Sequence, residues 1–171
     1  MLMSIPIDET LEVRIGPLMR QRGWKLALAE SCTGGLAGHR ITNVPGSSDY
    51  FQGSIVAYSY EAKEHLLGVR RETLERYGAV SRETVLEMAR GACRALDAQV
   101  ALSVSGIAGP GGGLPHKPVG TVWVGLCAPD GEWAFRFLWD GDRLQNKAYS
   151  AQALLQILAD YLEGNSPRGA V

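Results

Sequence analysis

The stretch AESCTGGLAG, residues 29–38, sets a serine, a cysteine and a threonine directly before a glycine pair, at the end of the apolar run KLALA. Where a strand hands over to a helix, unpaired N–H groups and the positive end of the helix dipole favour developing negative charge. Glycine leaves that backbone uncovered. Ser31 can therefore act as a nucleophile, with the amides of Thr33 and Gly34 receiving an oxyanion. Two other readings stand beside this one. Serine and threonine are also the residues that simply cap helices. Cys32 is a rival nucleophile, because a thiol near a helix N-terminus can become a thiolate. Adjacent residues leaving a strand point in opposite directions, so one of the pair faces the cleft, and the residues alone leave open which.

A serine nucleophile needs a base. His39, His65 and His116 have no neighbours that mark a triad, and the G-x-S-x-G elbow is absent. Lys63 is the better base. In YSYEAK it follows Tyr58 by five residues across a strand-to-helix turn, and a lysine desolvated beside a phenol can lose its proton near neutral pH. Taken singly, Lys63 reads as a solvated helix lysine and Tyr58 as a strand-end aromatic. For Lys63 to be neutral, the nearby Glu30, Glu61 and Glu64 must point away from its amine. SGIAGPGGGLPHK lacks the G-K-[ST] ending of a phosphate loop. Its glycine amides can still form an anion-binding nest, with Lys117 and Arg143 adding charge. No His, Cys, Asp or Glu spacing suits a metal, so neither a catalytic metal nor a cofactor is expected.

These loops need elements to hold them. Asp8 caps a first helix carrying Leu11, Ile15, Leu18 and Met19, which Gly16-Pro17 should kink or divide. A strand over 25–29 precedes a helix over 34–42, and 44–49 is a loop. A strand over 50–58 leads to a helical stretch ending at Gly68. Ser81 caps a long helix reaching Leu96. A strand over 99–105, a hairpin over 119–139 turning at Pro129-Asp130-Gly131, and an amphipathic helix over 143–162 complete the pattern. Together they predict an α/β fold, a three-layer α/β/α sandwich with a mixed β-sheet. Ligands of such sheets gather outside the carboxyl ends of the strands, where SCTGG, YSYEAK and SGIAGPGGG can face one cleft. The 171 residues read as one domain over 1–163, followed by a disordered tail over 164–171.

Composition narrows the function. A net charge of −1 gives no electrostatic footprint for nucleic acid or an anionic membrane. No apolar run approaches the ~18 residues of a membrane span, and no secretory signal opens the chain. Cys32, Cys93 and Cys127 are an odd number without C-x-x-C spacing, which suits free thiols and a cytoplasmic location.

The blocks AESCTGGL, VPGSSDYFQGSIVAYSYEAKEHLLGV, AVSRETVLEMARGA and SVSGIAGPGGGLPHKPVGTVWVGL, with the GDR helix from 141, closely resemble the CinA C-terminal domain family over nearly the whole chain. The resemblance implies nicotinamide-nucleotide amidohydrolase activity in pyridine nucleotide recycling: nicotinamide mononucleotide and water give nicotinate mononucleotide and ammonia. It implies Ser31 as nucleophile and Tyr58 and Lys63 as its partners, and thus favours Ser31 over Cys32. Thr33 and Gly34 supply the oxyanion donors. Ligand contacts fall on Gly46, Ser47 and Ser48 and on the loop of Ser105, Gly106, Ala108 and Gly109. The resemblance further implies a homodimer and a stand-alone form without the N-terminal domain of longer relatives. Two residues depart from the family pattern: Tyr60 stands where relatives usually have Asn, and Lys147 where many have Arg, so phosphate is held differently. The alternatives are a serine amidohydrolase of another small amide, and a non-catalytic nucleotide-binding module.

Overall fold

Five stretches pair into one sheet: β1 (Leu26–Glu30), β2 (Phe51–Val56), β3 (Val100–Gly106), β4 (Thr121–Ala128) and β5 (Gly131–Leu138). The computed structural model describes residues 3–8 and 10–165. The strand order is β2-β1-β3-β4-β5. β1 runs parallel to β2 and β3, while β4 and β5 return antiparallel, so the sheet is mixed. Among the described residues six α-helices accompany it: α1 (Leu11–Arg22), α2 (Leu36–Thr42), α3 (Tyr60–Leu67), α4 (Arg71–Tyr77), α5 (Arg82–Ala95) and α6 (Arg143–Leu162).

The two-residue period of the strands sorts the core into two faces. Leu26 and Leu28 of β1, with Leu102, Val104, Val122 and Val124, pack against α1, α2 and α6. Ala27, Ala29 and Ala101 turn the other way, against Leu67, Leu74, Met88 and Ala92 of α3, α4 and α5. The result is the three-layer α/β/α arrangement, with β1 buried on both faces. Among the described residues no helix is long and apolar enough to cross a membrane.

Several elements differ from the sequence expectation. Pro17 lies inside α1 without dividing it, because the helix N–H it lacks would address the carbonyl of Val13, on the exposed side. Thr10, not Asp8, occupies the cap position of α1; the Asp8 carboxylate accepts bonds from the Thr10 N–H and hydroxyl. α4 was not foreseen. Its RETLERY sequence buries only Thr73 and Leu74, too few residues to set a helical period. β2 is shorter than its predicted 50–58. α2 begins at Leu36 rather than Gly34, because Gly34 and Gly35 take left-handed φ values of +65° and +97° and form a turn. The expected tail over 164–171 falls mostly on residues 166–171, outside the described residues.

Candidate active site

Because β1, β2 and β3 are parallel, their carboxyl ends share one edge of the sheet. The Ser31 turn, the Tyr58 segment and the loop after Gly106 meet there. The Ser31 N–H donates to the Val104 carbonyl at 3.0 Å, one step beyond the Glu30–Val104 pair. That register sets Ser31 beside Ser105, which is also buried, on the face covered by α3 and α5.

Ser59 caps α3 by accepting from the Ala62 N–H, which places Lys63 in the helix's first turns facing the sheet. Lys63 is completely buried. Its Nζ lies 3.0 Å from Ser31 Oγ and donates to the carbonyls of Ala57 at 2.8 Å and Tyr58 at 3.1 Å. Burial lowers the Lys63 pKa to about 8, and no carboxylate opposes that fall. Glu64 instead pairs with Arg71, and Glu61 is engaged with its own backbone and Ser59.

Glu30 is turned to the other side of the sheet. Its buried carboxylate accepts from Thr33 Oγ1 (2.6 Å), Ser54 Oγ (2.7 Å) and the N–H groups of Gly35 (3.1 Å), Ala37 (3.1 Å) and Gly38 (2.9 Å). The start of α2 thus already holds an anion, supplied by the chain itself. The Gly34 N–H donates to the Ser31 carbonyl at 3.1 Å. The expected Thr33–Gly34 oxyanion pair is therefore revised: the turn leaves the amides of Cys32 and Thr33 without a bond to another described residue. Cys32 itself points into the apolar core on the α1 and α6 side, and burial pushes its thiol pKa up to about 12. It stays a thiol at neutral pH, and Ser31 is the residue that faces the lysine.

Tyr58 behaves differently from its sequence reading. Its carbonyl, not its phenol, touches Lys63. The ring is 63% exposed and its hydroxyl accepts from Arg143 Nη2 at 3.4 Å. Arg143 Nη1 also donates to the Gly109 carbonyl at 2.6 Å, and Asn146 Nδ2 donates to the Ala108 carbonyl at 3.1 Å. Asn146 was missed from sequence, although its i, i+3 spacing from Arg143 puts both on one side of α6. Gly106 has no room for a side chain, since a Cβ there would lie 2.4 Å from Val122 Cγ2. Beside the turn, a cavity of about 350 Å³ is lined by Thr33, Gly34, Leu144 and Lys147.

Three expected residues are elsewhere. Gly46, Ser47 and Ser48 precede β2, at the amino edge of the sheet, where the Gly46 carbonyl accepts from Arg20 and the Asp49 carbonyl from Lys25. A five-residue strand, roughly 16 Å at ~3.3 Å per residue, separates them from Ser31. Within one chain they do not reach the cleft. Lys117 also lies away from it, donating to the Tyr77 carbonyl. Tyr60 accepts from the Ala79 N–H at 3.3 Å. Among the described residues no three His, Cys, Asp or Glu side chains are grouped to hold a metal ion.

Residues 8–162 match the CinA C-terminal domain. The chain belongs to that family. A putative competence-damage inducible protein of Halothermothrix orenii is 51% identical over 158 residues, covering 91% of this chain and 38% of the relative. A CinA-like protein of Thermotoga maritima is 45% identical, covering 92% and 38%. The chain thus spans about two-fifths of the length of these curated relatives. Among solved structures, competence/damage inducible protein CihA of Agrobacterium tumefaciens superposes with a TM-score of 0.88 at 37% identity, covering 95% of this chain and 99% of that one. The competence damage-inducible protein A of Klebsiella pneumoniae gives 0.87 at 34% identity, covering 91% and 96%.

Proposed function

We propose that this CinA-family chain hydrolyses the carboxamide of nicotinamide mononucleotide to nicotinate mononucleotide and ammonia, through an ester of Ser31. The observation that carries the reading is the buried amine of Lys63, 3.0 Å from Ser31 Oγ with no carboxylate partner. The substrate is the one the family resemblance implies. A neutral amine has two N–H donors and one lone pair. With the carbonyls of Ala57 and Tyr58 accepting the two N–H bonds, the lone pair faces the Ser31 hydroxyl. It takes that proton as Oγ attacks the carboxamide carbon. The carbonyl π electrons move onto oxygen, where the amides of Cys32 and Thr33 receive the charge. Lys63 then gives its proton to the nitrogen, the C–N bond breaks and ammonia leaves. Neutral Lys63 next takes a proton from water, hydroxide attacks the ester carbon, and Ser31 Oγ departs as its proton is returned. The sum is amide plus water to acid plus ammonia.

The surrounding residues suit such a substrate. Lys147 supplies charge for a phosphate beside the turn, and the exposed Tyr58 ring offers its face to a pyridinium. The loop of Ser105, Gly106, Ala108 and Gly109, held by Arg143 and Asn146, closes the far wall. Incubation with nicotinamide mononucleotide, assayed for both products, tests the reading. Stoichiometric nicotinate mononucleotide and ammonia are expected. Ammonia from other carboxamides but not from this one would replace the substrate, and turnover of none would remove the activity. Because no metal-ligand cluster lies among the described residues, a chelator should leave the rate unchanged. A loss restored by a divalent cation would contradict that expectation.

A further inference from the structure

A second pocket opens on the same edge of the sheet, two to three strands from Ser31. Ser105 pairs with Trp123, and Trp123 with Arg136, so the row that starts at Ser31 continues across β3, β4 and β5. At ~4.8 Å per strand, Arg136 is roughly 14 Å from Ser31. A cavity of about 370 Å³ covers the Trp123–Arg136 end of that row, against the amino end of α5.

One polar group in the lining of this cavity is unsatisfied. Thr121, at the start of β4, is completely buried and borders the cavity, yet its Oγ1 has no hydrogen-bond partner. A buried hydroxyl left alone is costly, and such a group calls for an unseen partner. Thr121 is two residues from Trp123 and so shares its face of β4, directed towards α5 rather than the α6 side. The charge around it is one-sided. Arg82, Lys117 and Arg136 border the cavity with His116, against the single acid Glu83, in a chain whose net charge is −1. These cations come from α5, the loop before β4, and β5. The fourteen-residue α5, capped by Ser81, adds the positive end of its dipole. The Trp123 indole, only partly buried, supplies an apolar wall.

We propose that this pocket is a second ligand site, which binds the phosphate group of a small molecule. Lys117 and Arg136, arriving from two separate elements, suit a dianion with three acceptor oxygens better than a single carboxylate. Arg136 and Lys117 hold the phosphate at the end of α5, and the Thr121 hydroxyl donates to it. Any organic part lies against Trp123. The assignment does not depend on how Ser31 and Lys63 are read.

The test is a titration of the whole chain at constant ionic strength with inorganic phosphate and, separately, adenosine monophosphate, following the assigned Trp123 indole N–H by NMR. Saturable shifts with both are expected. Tighter binding of the nucleotide assigns the phosphate to an organic ligand, and equal binding assigns it to free phosphate. Arg136→Ala should weaken both by at least about tenfold. Thr121→Val should weaken both as well, yet raise the thermal midpoint of the unliganded protein, because it removes the orphan hydroxyl. Lys147→Ala, which alters only the Ser31 cleft, should leave both affinities as they are. No saturable shift with either probe would overturn the proposal. So would affinities untouched by Arg136→Ala and Thr121→Val, or binding abolished by Lys147→Ala.

Discussion

Lys63 is the only one of the four lysines that is fully buried. Its neighbours are carbonyls and a hydroxyl, which hydrogen-bond an ammonium but do not neutralise it. The gap between about 8 and the ordinary 10.5 corresponds to about 3 kcal/mol that the fold forgoes when the amine is charged. The sign follows from proton binding. Between about pH 8 and 10.5 the unfolded chain holds the Lys63 proton and the folded chain does not, so stability rises with pH across that window. Lys63→Met should lack this rise, as denaturant titrations across the window would reveal; identical slopes in both proteins would contradict the buried, neutral amine. At the neighbouring pair, Ser31→Ala should cost at least about a thousandfold in turnover, and Cys32→Ala less than about tenfold. A folded, inactive Cys32→Ala beside an active Ser31→Ala would reverse the assignment. The residue types of this dyad were legible in the sequence, but its geometry was not. Tyr58 is near Lys63 in sequence, yet a backbone carbonyl rather than a phenol ended up beside the amine, and spacing alone does not distinguish the two.

The turn from Ser31 to Gly35 is an element held by one carboxylate. Glu30 gathers five donors from three segments, so the hydroxyl of Ser54 on β2 and three amides of the α2 region all converge on it. Glu30→Ala would leave those buried donors unpaired, and a loss of about 3–5 kcal/mol is expected in chemical denaturation. A change under about 1 kcal/mol would mean that the turn is held by other contacts. At the opposite wall, Arg143→Ala frees both the Gly109 carbonyl and the Tyr58 hydroxyl. It should raise KM about tenfold while kcat changes little, because the residue positions binding loops rather than reacting atoms; a fall in kcat with constant KM would place Arg143 in the chemistry. Strands, the capped α5 and the full extent of α6 were legible from periodicity and caps. The role of Glu30 was not, because a glutamate at a strand end gives no sign of which backbone amides will fold back onto it. α4 escaped for want of apolar period.

At the scale of the molecule, parallel pairing of β1, β2 and β3 decides which loops can cooperate. It brings Ser31, Tyr58 and Gly109 to one edge and sends Gly46, Ser47 and Ser48 to the other. The first grouping follows from strand direction, which alternation of strands and helices already suggested. The second separation does not follow from the family-like VPGSS motif, whose place depends on where the chain enters β2. The same arrangement sets the buried Lys63 amine 3.0 Å from Ser31 Oγ, the juxtaposition on which the proposed chemistry rests. The most direct measurement is the pH dependence of nicotinamide mononucleotide hydrolysis, compared between the native chain and folded Lys63→Met. In the native chain kcat/KM should rise about tenfold per pH unit below a limb near pH 8 and level off above it, while Lys63→Met should lose at least about a thousandfold and show no limb. Near-normal turnover by Lys63→Met with the same limb would contradict the Ser31–Lys63 mechanism.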